Sequence, residues 1–173
     1  ENGSASGYGW QFSFNQYVRE VTDKNLTKAG YNYIYTDADG TDHYLKLVEG
    51  ETAKWEDEDG LVITLTKDEN NIFIDNGSTT QTYESTANGG KLLSEKDEHK
   101  NTITYTYTDG DLTKITDGSG RVTEVTYSTN SSGSKRVSKI KRPDGNSITF
   151  SYTSSEYDKI NYMYLPGRSE ERR

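Results

Sequence analysis

The sequence predicts an all-β fold in which consecutive antiparallel β-hairpins form a twisted, repeat-built sheet. Three observations predict it: apolar and polar residues alternate with period two, helical periodicity is almost absent, and Asp-Gly or Asn-Gly pairs separate the alternating runs. Such pairs favour type I′ hairpin turns, in which both central residues take positive φ. The hydrophobic content of 29% is low, but 14 tyrosines favour an ordered sheet with tyrosine rings in its core.

Alternating runs mark the individual strands, and turn residues mark the connections between them. The clearest runs are Tyr31–Tyr35, Leu61–Thr66, Thr102–Thr108 and Ile148–Tyr152. The turn pairs are Asp39-Gly40, Asp59-Gly60, Asn76-Gly77, Gly89-Gly90, Asp109-Gly110, Asp117-Gly118 and Asp144-Gly145. Each run puts one set of side chains on a packed face and the other set in solvent.

Similar segments recur at intervals of about one hairpin. Tyr107 and Tyr127 are 20 residues apart, whereas Tyr127 and Tyr152 are 25 apart, and the Ser/Gly-rich loop 128–135 accounts for the extra length. Repetition at a fixed short period indicates a stacked architecture, in which each unit buries its face against its neighbours. That arrangement explains how a chain with few apolar residues folds.

Apolar pairs three positions apart interrupt the alternation. The pairs are Leu112 and Ile115, Val122 and Val125, and Val137 and Ile140. In a straight strand the two members of a pair would lie on opposite faces. A β-bulge would return them to one face, and we therefore predict a bulge within each pair.

Composition and charge exclude several classes of protein. The net charge of -8 argues against a nucleic-acid partner, and the absence of cysteine excludes disulfides. No apolar run approaches the roughly 20 residues of a membrane helix, so no membrane span is expected. The basic cluster of Lys135, Lys139, Lys141 and Arg142 is interpreted as a solvated strand face rather than a nucleic-acid or glycan patch. Because the chain begins at Glu1 rather than Met, it resembles a mature chain or an excised piece of a longer one.

Two acidic segments, Asp37–Asp42 and Asp57–Asp59, have the carboxylates that calcium prefers. An EF-hand loop fails on spacing, because placing Gly40 at its sixth position puts Tyr35 first and Lys46 last. Hairpin turns explain both segments, and a weak surface calcium site at either remains an open alternative. No cofactor or metal ligand is assigned.

Catalytic motifs are missing from the sequence. His43 falls in a predicted strand and His99 in a predicted turn, and neither accompanies a cysteine or a nucleophile-elbow serine. Carboxylates are abundant, but nothing singles out a pair for glycoside hydrolysis. We therefore expect no enzyme and no catalytic residue. Trp10, Trp55 and the tyrosines could stack on sugars, but core packing of a tyrosine-rich sheet is the favoured interpretation.

A repeated motif carries a family resemblance. Leu112–Tyr127 reads Leu-x-x-Ile-x-Asp-x-x-Gly-Arg-x-Thr-x-Val-x-Tyr, and Val137–Tyr152 follows a related pattern. A weaker copy, Leu92–Tyr107, lacks the glycine near position 100. These copies resemble the YD repeat of bacterial Rhs proteins and their wall-associated relatives. The earlier segments Gly7–Gln16, Tyr33–Leu45 and Trp55–Thr66 are similar to the region that precedes the repeats in Gram-positive members.

The resemblance implies lead-in hairpins over residues 1–87, YD-type repeats over 88–165 in the same sheet, and an exposed charged tail over 166–173. It implies a secreted or cell-surface protein and a sheet that forms part of a spiralling β-shell. The expected function is that of a non-catalytic structural module in a shell or stalk that encloses or presents a C-terminal toxin. Its expected partners are neighbouring repeats and that toxin domain; the alternative is an adhesion or carbohydrate-binding module.

Overall fold

The computed structural model describes residues 15–58, 62–152 and 160–164. Apart from a short helix α1 (Lys24–Lys28) and a 3₁₀ turn (Thr86–Asn88), their regular structure is all β. The strands are β1 (Tyr17–Glu20), β2 (Tyr31–Thr36), β3 (Asp42–Leu47), β4 (Lys54–Asp57), β5 (Thr64–Lys67), β6 (Asn71–Asp75), β7 (Thr79–Glu84), β8 (Leu92–Asp97), β9 (Thr102–Thr108), β10 (Asp111–Thr116), β11 (Val122–Thr129), β12 (Lys135–Lys141), β13 (Ser147–Tyr152) and β14 (Ile160–Tyr164).

These described residues fall into two compact units. The N-terminal unit lies within Phe12–Thr104 and the C-terminal unit within Tyr105–Arg173. In the N-terminal unit each strand from β1 to β8 pairs antiparallel with the strand that follows it. In the C-terminal unit β10 to β14 pair in the same way. The predicted fold class, consecutive antiparallel hairpins, is confirmed.

Some sequence predictions concern residues outside the described ranges. These are the lead-in segment before Asn15 with Trp10, the turn pair Asp59-Gly60 with Leu61, and the tail 166–173. The start of the repeats at residue 88 also stays a prediction. Within the described part of the chain, no helix has the length and hydropathy of a membrane span.

One face of the N-terminal sheet forms its core. Strand alternation and register put side chains from β1 to β8 on this inner face, because Tyr35 lies opposite His43, Leu65 opposite Ile74, and Ile72 opposite Tyr83. The buried apolar residues of this face are Val18, Tyr33, Tyr35, Leu45, Trp55, Leu65, Ile72, Ile74, Tyr83 and Leu92. Burying each large side chain contributes about 1.5–3 kcal/mol, so this face supplies much of the stability of the unit.

The N-terminal sheet curls over its own inner face. The Tyr35 ring on β2 meets the Tyr83 ring on β7 at a centroid distance of 6.0 Å, although the two strands are not neighbours. On the other edge of β1, the Val18 amide donates to the Gly90 carbonyl at 2.9 Å. A Cβ at position 90 would lie 1.8 Å from the Val18 carbonyl oxygen, so only glycine permits this approach.

The Asp-Gly turns do not all take the type I′ form that the sequence predicts. Asp109 and Gly110 both have positive φ, 52° and 86°, as type I′ requires. In the loops that contain Asp39-Gly40, Asp117-Gly118 and Asp144-Gly145, the type I′ prediction is wrong, because only one residue of each loop has positive φ. Asn76 likewise lacks positive φ.

Five loops instead share a three-residue hairpin pattern. The first residue of each donates its amide to the carbonyl four positions later, and the fourth donates back to the carbonyl of the first. The fourth residue has positive φ, which identifies a type I turn followed by a glycine-type bulge. The five loops begin at Asp37, Asp97, Asp117, Asn130 and Arg142.

The predicted bulges are present in part. Between β11 and β12 the register shifts so that Val137 faces Tyr127 and Ile140 faces Val125, and Ser138 is the extra residue. The bulge predicted between Val137 and Ile140 is confirmed. The bulge predicted between Val122 and Val125 is wrong, since β11 pairs without a shift with β10 from Val122 to Glu124 and with β12 from Glu124 to Thr126.

For Leu112 and Ile115 the structure offers a parallel contact. The Thr113 hydroxyl donates to the Thr106 carbonyl at 3.3 Å, and the Ser138 hydroxyl donates to the Thr126 carbonyl at 3.1 Å. Thr113 follows Leu112 in the repeat as Ser138 follows Val137. The bulge at Thr113 itself stays a prediction.

A tyrosine closes each of the two described repeats of the C-terminal unit. The Tyr127 hydroxyl donates to the Leu112 carbonyl at 2.9 Å, and the Tyr152 hydroxyl donates to the Val137 carbonyl. Leu112 and Val137 are both buried. The last residue of each motif is therefore bonded to the backbone of the first.

Candidate functional site

An open cleft in the N-terminal unit is lined by three titratable side chains, Tyr35, Asp37 and His43. Its volume is about 340 Å³. The β2–β3 hairpin borders one side, and the β4–β5 and β6–β7 connections border the other. The lining residues are Tyr35, Asp37, His43, Val62, Ile63, Asn76 and Ser78.

His43 lies between two carboxylates at this cleft. Its Nε2 is 2.8 Å from Asp37 Oδ2, and its Nδ1 is 3.0 Å from Asp57 Oδ2. The side chains of His43 and Asp57 are only 6% and 2% exposed, whereas that of Asp37 is 26% exposed. We call these three residues the Asp-His-Asp cluster.

Strand register brings the cluster together. His43 and Leu45 share the inner face of β3, and Leu45 pairs with Asp57 at the end of β4. Asp37 is the first residue of the β2–β3 loop, and its other carboxylate oxygen accepts the amides of Asp39 and Thr41. The loop hydrogen bonds therefore fix the Asp37 carboxylate next to the His43 ring.

The protonation of the cluster follows from its hydrogen bonds. Burial opposes the charge on His43, but the hydrogen bonds to Asp37 and Asp57 outweigh it and raise the pKa of His43 above its ordinary value. Burial similarly opposes charge on Asp37, but the His43 ring and the amides of Thr41 and Asp39 lower the pKa of Asp37. The geometry therefore favours an imidazolium between two carboxylates.

The hydrogen bonds of His43 suit a structural link between strands better than a role in catalysis. A general base needs an unprotonated nitrogen that can reach the substrate, whereas both ring nitrogens of His43 face carboxylate oxygens. The Tyr35 ring stacks on the His43 ring at a centroid distance of 5.6 Å and covers one face of it. The cluster links the β2–β3 loop, β3 and β4.

A buried polar network continues from Tyr35 into the core. The Tyr35 hydroxyl lies 2.9 Å from Gln16 Oε1 and 3.0 Å from Gln81 Oε1. Gln81 also accepts from the Tyr83 hydroxyl and donates to Glu95. Burial is the largest cause that raises the pKa of Tyr35 to about 12, so this hydroxyl stays protonated at neutral pH.

The acidic segments that could suggest calcium are hairpin and strand residues with their own partners. The Asp42 carboxylate accepts from Arg19 and from the Thr36 hydroxyl, at 2.6 and 2.5 Å. Asp37 and Asp57 bind His43, and Asp59 lies outside the described residues. Across the described ranges, no group of three or more His, Asp or Glu side chains is placed to hold a metal ion.

The aromatic and basic candidates lie apart from the cleft lining. Trp55 is 6% exposed. The Tyr33 ring packs edge-on against the Trp55 ring at 5.0 Å, and the Lys67 ammonium lies 5.3 Å from the centre of the Trp55 ring. His99 is exposed in the loop after β8. The residues of the predicted basic cluster, Lys135, Lys139, Lys141 and Arg142, are exposed on β12 and the loop that follows it.

Sequence reasoning missed the Asp-His-Asp cluster and the Gln81 network. The available signal was alternation: His43 precedes Leu45 by two positions, and Gln81 precedes Tyr83 by two. Each polar residue therefore had to share the inner face with an apolar one. Their partners come from other strands, and only the register identifies those partners.

A scan of protein-family models found no match to the chain, and a search of curated proteins also found none. The resemblance to YD-repeat proteins therefore stays a prediction from the sequence motifs.

Proposed function

We propose that this chain is a non-catalytic structural module of a secreted or cell-surface bacterial YD-repeat protein. In this proposal its hairpins build part of a shell or stalk that encloses or presents a C-terminal toxin domain. The partners are neighbouring repeats and that domain.

The observation that carries the proposal is a hydrogen bond from a tyrosine hydroxyl to the backbone, which recurs in two successive motifs. Tyr127 and Tyr152 end equivalent motifs, and each donates its hydroxyl to the backbone carbonyl that begins the same motif. A hydrogen bond that recurs at the same motif position supports a role in holding successive strands together. The same positions define the resemblance to YD repeats.

The buried aromatic side chains and His43 support the same proposal. Tyr33, Tyr35, Trp55 and Tyr83 are at most 6% exposed, so their ring faces are used in packing. The His43 ring nitrogens both face carboxylates. These groups are engaged in holding strands together rather than presented to a substrate.

An adhesion or carbohydrate-binding role is the second candidate, and surface tyrosines favour it. Tyr17 is 39% exposed, and Tyr31 packs edge-on against Tyr44 at 5.7 Å. Their rings offer partly accessible aromatic surface of the kind on which sugars can stack.

A glycan array probed with the labelled chain separates the two candidates. The structural proposal predicts no signal above that of the heat-unfolded chain. Signal that depends on concentration and disappears in a Tyr31→Ala, Tyr44→Ala double variant would establish the carbohydrate-binding alternative. Circular dichroism of the variant controls for loss of the fold.

A further inference from the structure

The protonated ring of His43 places a positive charge on the inner face of β3, beside the cleft. A neutral imidazole has one N–H and can donate one hydrogen bond, whereas both nitrogens of this ring lie within 3.0 Å of carboxylate oxygens. Only the imidazolium donates to Asp37 and Asp57 together. The geometry therefore favours the protonated ring.

The two carboxylates belong to different connections of the sheet. Asp37 begins the β2–β3 loop, and Asp57 ends β4, where its amide donates to the Ile63 carbonyl at 3.2 Å as the chain returns towards β5. The ring of His43 is the direct link between these two connections. Both connections border the cleft described above.

Among the described groups around the His43 ring, Asp37 and Asp57 have the strongest effect on its protonation, because both accept hydrogen bonds from it. From β2, Tyr35 stacks on the ring with a hydroxyl whose pKa is raised to about 12, chiefly by burial, so it is neutral. From β3 itself, Asp42 is held by Arg19. The described residues that line the cleft from the β4–β5 and β6–β7 connections are Val62, Ile63, Asn76 and Ser78, all uncharged.

We propose that the Asp-His-Asp cluster is a pH-sensitive clasp, which releases the β2–β3 loop when His43 loses its proton. After that loss, one ring nitrogen presents a lone pair to a carboxylate oxygen and the contact becomes repulsive. Asp57 keeps the remaining N–H, because its carboxylate is 2% exposed and has less access to water than Asp37 at 26%. Asp37 is the contact that breaks.

The direction of the pH dependence follows from linkage. His43 gains its partners on folding, and its pKa in the folded chain is raised above its ordinary value. Its stabilisation is therefore complete below about pH 6.5, the ordinary pKa of histidine, and is lost as the pH rises through the raised pKa. The clasp is closed where His43 is protonated and Asp37 is ionised, and it opens as the pH rises through the raised pKa of His43.

The chain offers a direct test because it has two histidines, His43 and His99. Carbon-detected NMR of the two rings, assigned with a His99→Gln variant, gives the titration of His43. We expect a midpoint above about 6.5, and we expect the amide signals of Asp39 and Thr41 to shift with the same midpoint. A midpoint at or below the ordinary value, or loop amides that ignore the titration, would overturn the proposal.

Urea unfolding provides the second readout. The wild type should lose stability as the pH rises from about 6.5 through the raised pKa of His43, and the His99→Gln control should lose the same amount. The Asp37→Asn variant, which keeps the size of the side chain but removes the carboxylate, should show a smaller loss. An undiminished loss in Asp37→Asn contradicts the clasp, and if that variant does not fold, the wild-type NMR titration decides.

Discussion

The fourth residue of each three-residue hairpin loop lies in the left-handed region of φ. Glycine occupies this position in four of the loops, at Gly40, Gly120, Gly133 and Gly145, but Lys100 occupies it in the loop that begins at Asp97, with φ of 66°. A residue with a Cβ pays about 1–2 kcal/mol for this conformation. The weakest copy of the repeat motif therefore carries a strained loop.

Replacing Lys100 with glycine should stabilise the chain. Relief of the left-handed strain outweighs the added flexibility of the unfolded chain, and the expected gain is about 0.5 kcal/mol. Gly120→Ala is the matched control, because a Cβ there meets nothing within 4 Å and feels only its φ of 79°. Urea denaturation should show opposite signs for the two variants; equal signs would contradict this explanation.

Gln81 is the central residue of the buried polar network. Its amide group contacts Gln16, Tyr35, Tyr83 and Glu95, which come from β2, β7, β8 and the segment before β1. A buried network of this kind is stabilising only when its members are satisfied. The amide of Gln81 satisfies donors and acceptors that the curled sheet removes from water.

Gln81→Leu should destabilise the N-terminal unit by about 2–3 kcal/mol, since it leaves buried hydroxyl and carboxylate groups without this partner. Tyr83→Phe, which removes one hydroxyl from the same network, should cost about 1 kcal/mol. Thermal unfolding followed by tyrosine and tryptophan fluorescence measures both. A Gln81→Leu variant as stable as the wild type would show that water replaces the network.

At the scale of the element, a loop and a bulge together set the register between β11 and β12. The Ser138 bulge brings Val137 and Ile140 to the same face as Tyr127 and Val125. Val137, which the bulge places opposite Tyr127, also accepts the hydrogen bond from the Tyr152 hydroxyl. The repeat motif is thus a set of positions that work together.

The two tyrosine hydrogen bonds should contribute equally to stability. Tyr127→Phe and Tyr152→Phe each remove one hydroxyl donor, at an expected cost of about 0.5–1.5 kcal/mol. The loss in the double variant should depart from the sum, because Tyr127 pairs with Val137, whose carbonyl accepts from the Tyr152 hydroxyl. Urea unfolding of the three variants checks this; a negligible loss in both single variants would remove the main support for the structural proposal.

The sequence predicts the elements better than their connections. Alternation at Thr102–Thr108 coincides with β9, and Tyr31–Tyr35 lies within β2. The Asp-Gly pairs correctly mark loops, but only Asp109-Gly110 has the two positive φ values of the predicted turn type. In the other loops a glycine that follows a type I turn satisfies the same local preference. The bulge predicted from the Val122–Val125 spacing is wrong, because β11 alternates regularly there. The two valines therefore lie on opposite faces of the strand.

The candidate site was harder to predict than the strands. The acidic segment Asp37–Asp42 drew attention as a calcium candidate, whereas Asp37 and Asp42 bind His43 and Arg19. Partners that are several strands apart, such as Tyr35 and Gln81, depend on the curl of the sheet. That curl arises from packing of the whole face, and no local pattern encodes it.

At the scale of the whole molecule, carboxylates tie the strands and loops together and make the chain sensitive to acid. Burial opposes the charge on Asp42, but the hydrogen bonds from Arg19 and Thr36 lower the pKa of Asp42. The amide of Arg121, with its guanidinium, lowers the pKa of Asp117. Each such group stabilises the fold above its ordinary pKa of about 4 and loses that contribution as the pH falls through its lowered pKa.

The melting temperature should therefore fall as the pH drops below about 4. Asp42→Asn should reduce this dependence, because it removes one carboxylate with a lowered pKa, and it should lower stability at neutral pH through loss of the Arg19 ion pair. Calorimetry across the acidic range measures both effects. An acid dependence in Asp42→Asn that equals that of the wild type would contradict the role given to this carboxylate.

The proposed function makes the chain a part of a larger extracellular assembly. Within each unit, hairpins follow one another in sequence. Tyrosine, histidine and glutamine side chains join them in the N-terminal unit, and tyrosine side chains join them in the C-terminal unit. In the proposed role, a module of this kind forms part of the shell or stalk around the toxin domain. Its side chains serve to hold its own strands together.

Protease protection of the native polypeptide that contains this chain tests the structural proposal most directly. An antibody against the chain would recover that polypeptide from the medium, the cell surface and the cell interior, and mass spectrometry would map its cleavage with and without denaturant. The account predicts an extracellular polypeptide that is longer than this chain, with further repeats that resist cleavage until denaturant unfolds them. Recovery from the cell interior alone, or equal cleavage in both conditions, would contradict it.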